Sequence, residues 1–229
     1  DLVVQVGILK SLLRSMKICM YEKEGYEADD LIGTLSHPFP DRHSVIITGD
    51  RDAYQLVDDR TDVYITKKGV SDLFKLNEQN FESEIGYSPA RVIDMKALMG
   101  DSSDNIPGVP GIGEKTAFSL VTQYGALDSV YSHLGEISES VRAKLEKGKD
   151  SAYLSRTLAT IDRDVPLEVH EEDGEICMPF SQEVRDQFLR LEFTSLLKLD
   201  IFESERHTAR SVPQGQVTEK TVTDADAFL

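Results

Sequence analysis

Residues Ser44–Asp52 read SVIITGDRD. Val45, Ile46 and Ile47 are β-branched in succession, a composition suited to the pleated surface of a strand, and Gly49 ends the run. An apolar stretch of this length between breakers predicts a buried strand. Asp50 and Asp52 follow two residues apart, just beyond its carboxyl end. Residues two apart in extended chain point the same way, and the carboxyl ends of strands are where α/β sheets place their sites. A strand-to-helix turn with Asp52 as N-cap explains the same pair without any site.

Working upstream, LVVQVGILKSLLRSM carries Leu2, Val6, Leu9, Leu13 and Met16 at helical spacing. KICMYE reads as a short strand, and GYEADDLIGTLS as a helix with acids in its first turn. Downstream, a short helix from about Asp52 to Val57 is followed by a strand at DVYITKK. This alternation predicts an α/β fold, a mostly parallel sheet flanked by helices, over residues 1–76. From Asn77 the pattern turns helical, and residues 77–200 form a second region. Asn77 caps a helix ending near Gly86, Ser88-Pro89 opens another that Gly100 closes, and EKTAFSLVTQY is stopped by Gly125. SESVRAKLEK, DSAYLSRTLATI and SQEVRDQFLRLEFTSLLKL supply the later helices, with DRDVPLEV as extended chain between them. Residues 201–229 are nearly devoid of apolar content and read as a linker toward a following domain.

The 229 residues, 40% hydrophobic and 29% charged, describe a soluble globular protein with a core that stands without staples. No apolar run approaches membrane-span length and no secretory segment opens the chain. Cys19 and Cys177 are far apart and predict reduced thiols in a cytoplasmic protein, expected as a monomer. The net charge of −16 argues against a nucleic-acid partner unless the acids are gathered around cations. The chain starts at Asp1 without an initiator Met or a leading strand, and reads as one cut into.

The acids are indeed gathered. EADD holds Glu27, Asp29 and Asp30, which converge only if regular helix begins near Ala28 and leaves Glu27 at the cap. Acids in a first helical turn also complement the helix dipole with no further role. GDSSDN adds Asp101 and Asp104, one turn apart, for which capping is the structural alternative. With Asp50 and Asp52, these make seven carboxylates in three clusters at loops or helix starts. No His or Cys pair suits zinc, and an all-oxygen set suits two Mg²⁺ or Mn²⁺ ions. Two such ions about 4 Å apart clamp a phosphodiester.

The third cluster runs into IPGVPGIGEKTA, with Gly108, Gly111 and Gly113. A P-loop is excluded because Glu114 intrudes between Gly113 and Lys115, and no strand leads into the turn. The remaining readings are a helix–turn–helix whose backbone N–H groups approach phosphate, and glycines used for tight packing.

GYEADD, ITGDRD, LMGDSSDNIPGVPGIGEKTA and LATIDRDVPLE together resemble the 5′-nuclease family, closest to the 5′→3′ exonuclease domain of bacterial DNA polymerase I. The resemblance covers roughly Ser11 to Leu199. It implies a PIN-like core followed by a helix–three-turn–helix, and two-metal hydrolysis of 5′ ends and flaps of branched or nicked duplex DNA, RNA primer–DNA hybrids included. It implies that Glu27, Asp29 and Asp30 serve a first metal and Asp50, Asp52, Asp101 and Asp104 a second. It assigns duplex binding to Gly108, Val109, Gly111, Ile112, Gly113, Lys115 and Thr116, with a bound K⁺ in some members. Two further catalytic aspartates, on a first strand and before a basic arch, belong upstream of Asp1 in the family pattern. The rival expectation is therefore a DNA-binding fragment that cuts little.

Overall fold

The computed structural model describes residues 2–67, 69 and 72–202, and most of the expected linker lies outside the described residues. The chain divides into two compact units, one of residues 1–19 with 174–229 and one of residues 20–173. No described helix is long and apolar enough to cross a membrane.

In the smaller unit, α1 (Leu2–Ser15) and α9 (Gln182–Arg190) share a core of Leu12, Phe180, Val184, Phe188 and Phe202. Three aromatic rings make that core: Phe188 meets Phe202 edge-on at 5.2 Å between centroids. Gln187 Nε2 donates to Ser15 Oγ at 2.8 Å, which ties the two helices together.

In the larger unit, α2 (Ala28–Leu35) precedes β1 (Ser44–Thr48), a 3-10 turn (Arg51–Leu56) and β2 (Thr61–Thr66). β1 and β2 pair in parallel, Ile46 opposite Val63. A strand not expected from the sequence, β3 (Leu73–Leu76), returns antiparallel to β2, so the three-stranded sheet in order β1-β2-β3 is mixed. Leu56, Val63, Leu76 and Phe81 are fully buried beneath it.

Two strand expectations need correction. KICMYE enters no ladder among the described residues, because a strand exists only through a pairing partner. SVIIT is a strand but not a buried one. Ile46 faces the core, while Val45 and Ile47 are 53% and 62% exposed, since only one face of β1 is covered.

The helical part follows the expected stops, but the helix expected to be capped by Asn77 begins later, with Asn80 as its N-cap. Asn77 and Asn80 bond each other's backbone N–H groups through their side-chain oxygens, at 3.0 and 2.8 Å, and lead into α3 (Phe81–Ile85), which Gly86 closes. Pro89 begins a 3-10 turn that runs into α4 (Val92–Met99), ended at Gly100. α5 (Glu114–Tyr124) stops at Gly125. A short α6 (Leu127–Ser132), not expected, precedes α7 (Glu139–Lys147) and α8 (Lys149–Ala159). These helices enclose a second core around Leu98, Val109, Ala117, Leu127 and Leu145.

Candidate metal centre and the neighbouring turn

β1 delivers Asp50 to the end of the sheet. The Asp50 N–H donates to Thr48 Oγ1 at 3.0 Å, and Asp50 Oδ1 accepts from the Asp52 N–H at 2.9 Å. Asp50, rather than Asp52, is thus the N-cap of the 3-10 turn, and the pair is held by its own backbone. Helix α2 begins at Ala28 with Glu27 as N-cap, the geometry that the acids of EADD need in order to converge.

Two groups of three carboxylates result, each with one oxygen per residue lying within 4.8 Å of the others. One is Asp29, Asp50 and Asp52; the other is Asp52, Asp101 and Asp104. Asp52 belongs to both. Glu27 and Asp30 are placed differently. Asp30 Oδ2 accepts the Glu27 N–H at 3.1 Å, and the two residues complete a reciprocal capping box. Asp30 Oδ1 accepts the Asp162 N–H at 2.8 Å. Both oxygens of Asp30 are therefore engaged in holding α2 and the chain after α8.

The electrostatics separate the two groups. Burial, followed by the charges of Asp50, Asp52, Glu27 and Asp30, pushes the Asp29 carboxyl above its ordinary value. Burial also raises Asp52, against the opposing pull of Lys96. Asp101 is lowered, first by its hydrogen bond with Lys96 and then by the Ser103 N–H, which donates at 2.8 Å. Lys96 Nζ contacts Asp52, lies 2.8 Å from Asp101 Oδ2 and 3.9 Å from Asp104 Oδ2. Its side chain is only 7% exposed.

Lys96 was not among the residues singled out from sequence. The available signal was a lone lysine inside the apolar run VIDMKALM, flanked by Met95 and Ala97, which are both buried. Such a lysine needs a partner, and acids lie a few residues on. A cavity of 950 Å³ opens from these acids, with Tyr87, Met99 and Phe118 on its apolar side.

The donor set fits a hard divalent cation. All five residues of the two groups offer carboxylate oxygens, and Asp29 carries charge that its surroundings oppose.

The glycine turn is built on backbone bonds. Asp101 and Ile106 exchange N–H···O bonds at 2.9 and 2.8 Å, and the Val109 N–H donates to Leu98 O at 2.8 Å. Gly108 has φ +60°, and a Cβ there would lie 2.2 Å from the Gly100 nitrogen. Its N–H donates to Ser155 Oγ at 2.8 Å, and its carbonyl accepts from Ser151 Oγ at 2.6 Å. Gly108 is a packing glycine. Val109 and Ile112 anchor the turn by burying their side chains. Gly111, at φ +82°, faces outward beneath Lys144, whose Nζ donates to its carbonyl at 3.1 Å. Gly113 caps α5 in open space, and in the first turn Lys115 is exposed and Thr116 half-buried.

Comparison with known proteins bears on the family and the fold. Two family profiles match end to end: "5′-3′ exonuclease, N-terminal resolvase-like domain" over residues 1–86, and "5′-3′ exonuclease, C-terminal SAM fold" over residues 87–182. DNA polymerase I of Bacillus subtilis (strain 168) is 39% identical over 232 residues, covering 100% of this chain and 26% of that protein. The chain spans about a quarter of the length of the curated relatives it matches first. Among solved structures, the catalytic core of Rad2 in complex with DNA substrate superimposes with a TM-score of 0.59 at 16% identity, covering 88% of this chain and 70% of that one. The bacteriophage T5 D15 flap endonuclease, in a complex with DNA and metal ions, gives 0.52 at 18% identity, covering 77% and 60%. At such identities the likeness is one of fold: a resolvase-type nuclease layer followed by a SAM-like helical region. With both profiles in sequence over residues 1–182, the chain belongs to the 5′→3′ exonuclease family.

Proposed function

We propose that this chain carries a metal-dependent 5′→3′ exonuclease and 5′-flap endonuclease activity on branched or nicked duplex DNA, as part of a DNA polymerase I-like protein in the cytoplasm. The observation that carries the reading is the pair of carboxylate groups joined at Asp52. Asp29, Asp50 and Asp52 would hold one Mg²⁺ or Mn²⁺ ion, and Asp52, Asp101 and Asp104 a second. A cation pair bound there supplies an activated water and charge stabilisation on the leaving oxygen. The protein's own residues do the rest: backbone caps fix Asp50 and Asp52, and the capping box of Glu27 and Asp30 sets the start of α2 so that Asp29 faces them.

Duplex DNA, or a primer–DNA hybrid, would lie along the turn. Gly111 and Gly113 leave the backbone approachable, and Lys115 and Thr116 stand at the N-terminal end of α5, where phosphate is favoured. Gly108, Val109 and Ile112 would act there by holding the turn's shape. A K⁺ ion held at this turn would add positive charge facing the phosphates. Division of labour between residues 1–76 for chemistry and 77–200 for duplex binding, in a monomer, completes the reading.

Nicking of a 5′-flap duplex in Mg²⁺, compared with binding in Ca²⁺, tests it. Asp50→Asn and Asp101→Asn should each lower cleavage by roughly a hundredfold or more, about 2.7 kcal/mol in barrier, while binding in Ca²⁺ weakens far less. Cleavage that survives both substitutions would refute the assignment. Binding without any wild-type cleavage would leave a DNA-holding module instead.

A further inference from the structure

The two carboxylate groups share Asp52 and differ in one respect. Around Asp29, the neighbouring charges that act on the carboxyl are those of Asp50, Asp52, Glu27 and Asp30, all of one sign. The Asp52–Asp101–Asp104 group already contains a cation, the Lys96 ammonium, in contact with Asp52, 2.8 Å from Asp101 and 3.9 Å from Asp104. That ammonium is not a loose surface charge. Lys96 sits in α4 between buried Met95 and Ala97, and its side chain is 7% exposed. A divalent ion entering the group must take lone pairs that Lys96 now uses, and must do so beside a fixed positive charge.

We propose that Lys96 is a positioning residue that keeps Asp52, Asp101 and Asp104 assembled and makes theirs the weaker, second-loading cation site. The inference rests on the reading that these acids hold divalent ions. Lys96 has two opposed effects. It cancels the repulsion that would splay three carboxylates apart, so the ligands are already together when the ion arrives. It also competes with the ion. In the Asp29–Asp50–Asp52 group the ammonium touches Asp52 alone, whereas it faces all three acids of the other, so the first group fills first. An incoming phosphodiester brings the negative charge that lets the ammonium and the second ion coexist, so full loading becomes coupled to substrate.

Titration of the full chain with Mn²⁺, read by the electron paramagnetic resonance of the free ion, tests the order. The wild type should show a tighter and a weaker class. In Lys96→Met, which keeps an unbranched stem, the weaker class should tighten by roughly tenfold or more. In wild-type chain carrying ¹³C at lysine Cε, with Lys96 assigned by its absence in Lys96→Arg, the Lys96 resonance should move less with the first equivalent of Mg²⁺, which reaches it through Asp52 alone, than with the second. An unchanged or weakened second class in folded Lys96→Met, or a Lys96 resonance that completes its shift with the first equivalent, overturns the inference while leaving the metal reading intact. Absence of Mn²⁺ binding in all variants removes both.

Discussion

In the turn from Gly100 to Gly113, the Gly108 N–H and carbonyl both have serine partners, Asp101 and Ile106 exchange two backbone bonds, and Val109 and Ile112 are buried. At the end of β1, Asp29 and Asp50 are drawn close together, and burial and the neighbouring charges of Asp50 and Asp52 oppose the ionised Asp29 carboxylate. One region uses up its polar groups internally, and the other leaves them unspent. The first behaves as a frame, whose substitutions should cost stability. The second stores unfavourable charge that only a ligand relieves, so its substitutions should cost function and spare or even raise stability.

The sharpest way to break this contrast is Gly108→Val. The new side chain meets backbone at 2.2 Å and must hold φ near +60°. Strain and overpacking together should cost roughly 3–5 kcal/mol, read as a lowered urea midpoint. A midpoint close to wild type would mean that the turn is not the tight frame described. Ser155→Ala, which orphans the buried Gly108 N–H, should cost about 1–2 kcal/mol by the same assay.

Adjacent residues of α2 should respond with opposite signs. Asp30→Ala removes acceptors from the Glu27 and Asp162 N–H groups and should destabilise by about 1–2 kcal/mol. Asp29→Asn relieves crowding of like charge, and in a chelator should leave the chain as stable as wild type or slightly more so. Adding Mg²⁺ should raise the melting temperature of wild type and do so far less for Asp29→Asn. If both substitutions destabilise equally in chelator, Asp29 is a structural acid like its neighbour.

Gly111→Ala makes the same distinction within the turn. Its φ of +82° should cost about 1 kcal/mol, and the nearest atoms belong to the flexible Lys144 side chain, which can move. Duplex binding at low salt should fall by more than that loss of stability explains. Equal losses of both would assign Gly111 to packing alongside Gly108.

What the sequence makes legible divides along the same line. Asp50 with Asp52, and Asp101 with Asp104, are short-range pairs whose placement follows from a strand end and from a tight turn after α4. The start of α2 at Ala28, and the stops at Gly86, Gly100 and Gly125, follow from capping chemistry. Contacts between distant segments are not readable in this way. Nothing local tells that Ser155 reaches Gly108, 47 residues away, or that Lys96 spans to Asp52, 44 residues away. Nor does spacing reveal that Asp30 will be consumed by Asp162 while Asp29 is left for the acids of β1. The exposure of Val45 and Ile47 escapes the sequence as well, since an apolar run reports propensity for a strand but not how many faces are covered.

Asp101 belongs to both regions, and acid titration exposes the difference. Its backbone closes the turn against Ile106, while its carboxylate faces Lys96. Lys96 holds that carboxyl below its ordinary value of 3.8, and Asp58 is also lowered, because the Arg60 N–H and His37 outweigh its burial. A depressed carboxyl contributes stability that is present above 3.8 and is lost as pH falls through its folded value. Asp29 and Asp52 are raised, so the sign reverses: the folded chain binds their protons more tightly, and stability grows as pH falls from neutral through their folded values toward 3.8. In chelator, these groups should therefore give a urea midpoint that rises modestly on acidification, peaks near pH 4 and falls below it. Asp29→Asn should flatten the rise and leave the fall. Mg²⁺ should replace the rise by a decline, because protons and cation then compete for the same oxygens. A wild-type rise that persists unchanged in Asp29→Asn would place the stored charge elsewhere.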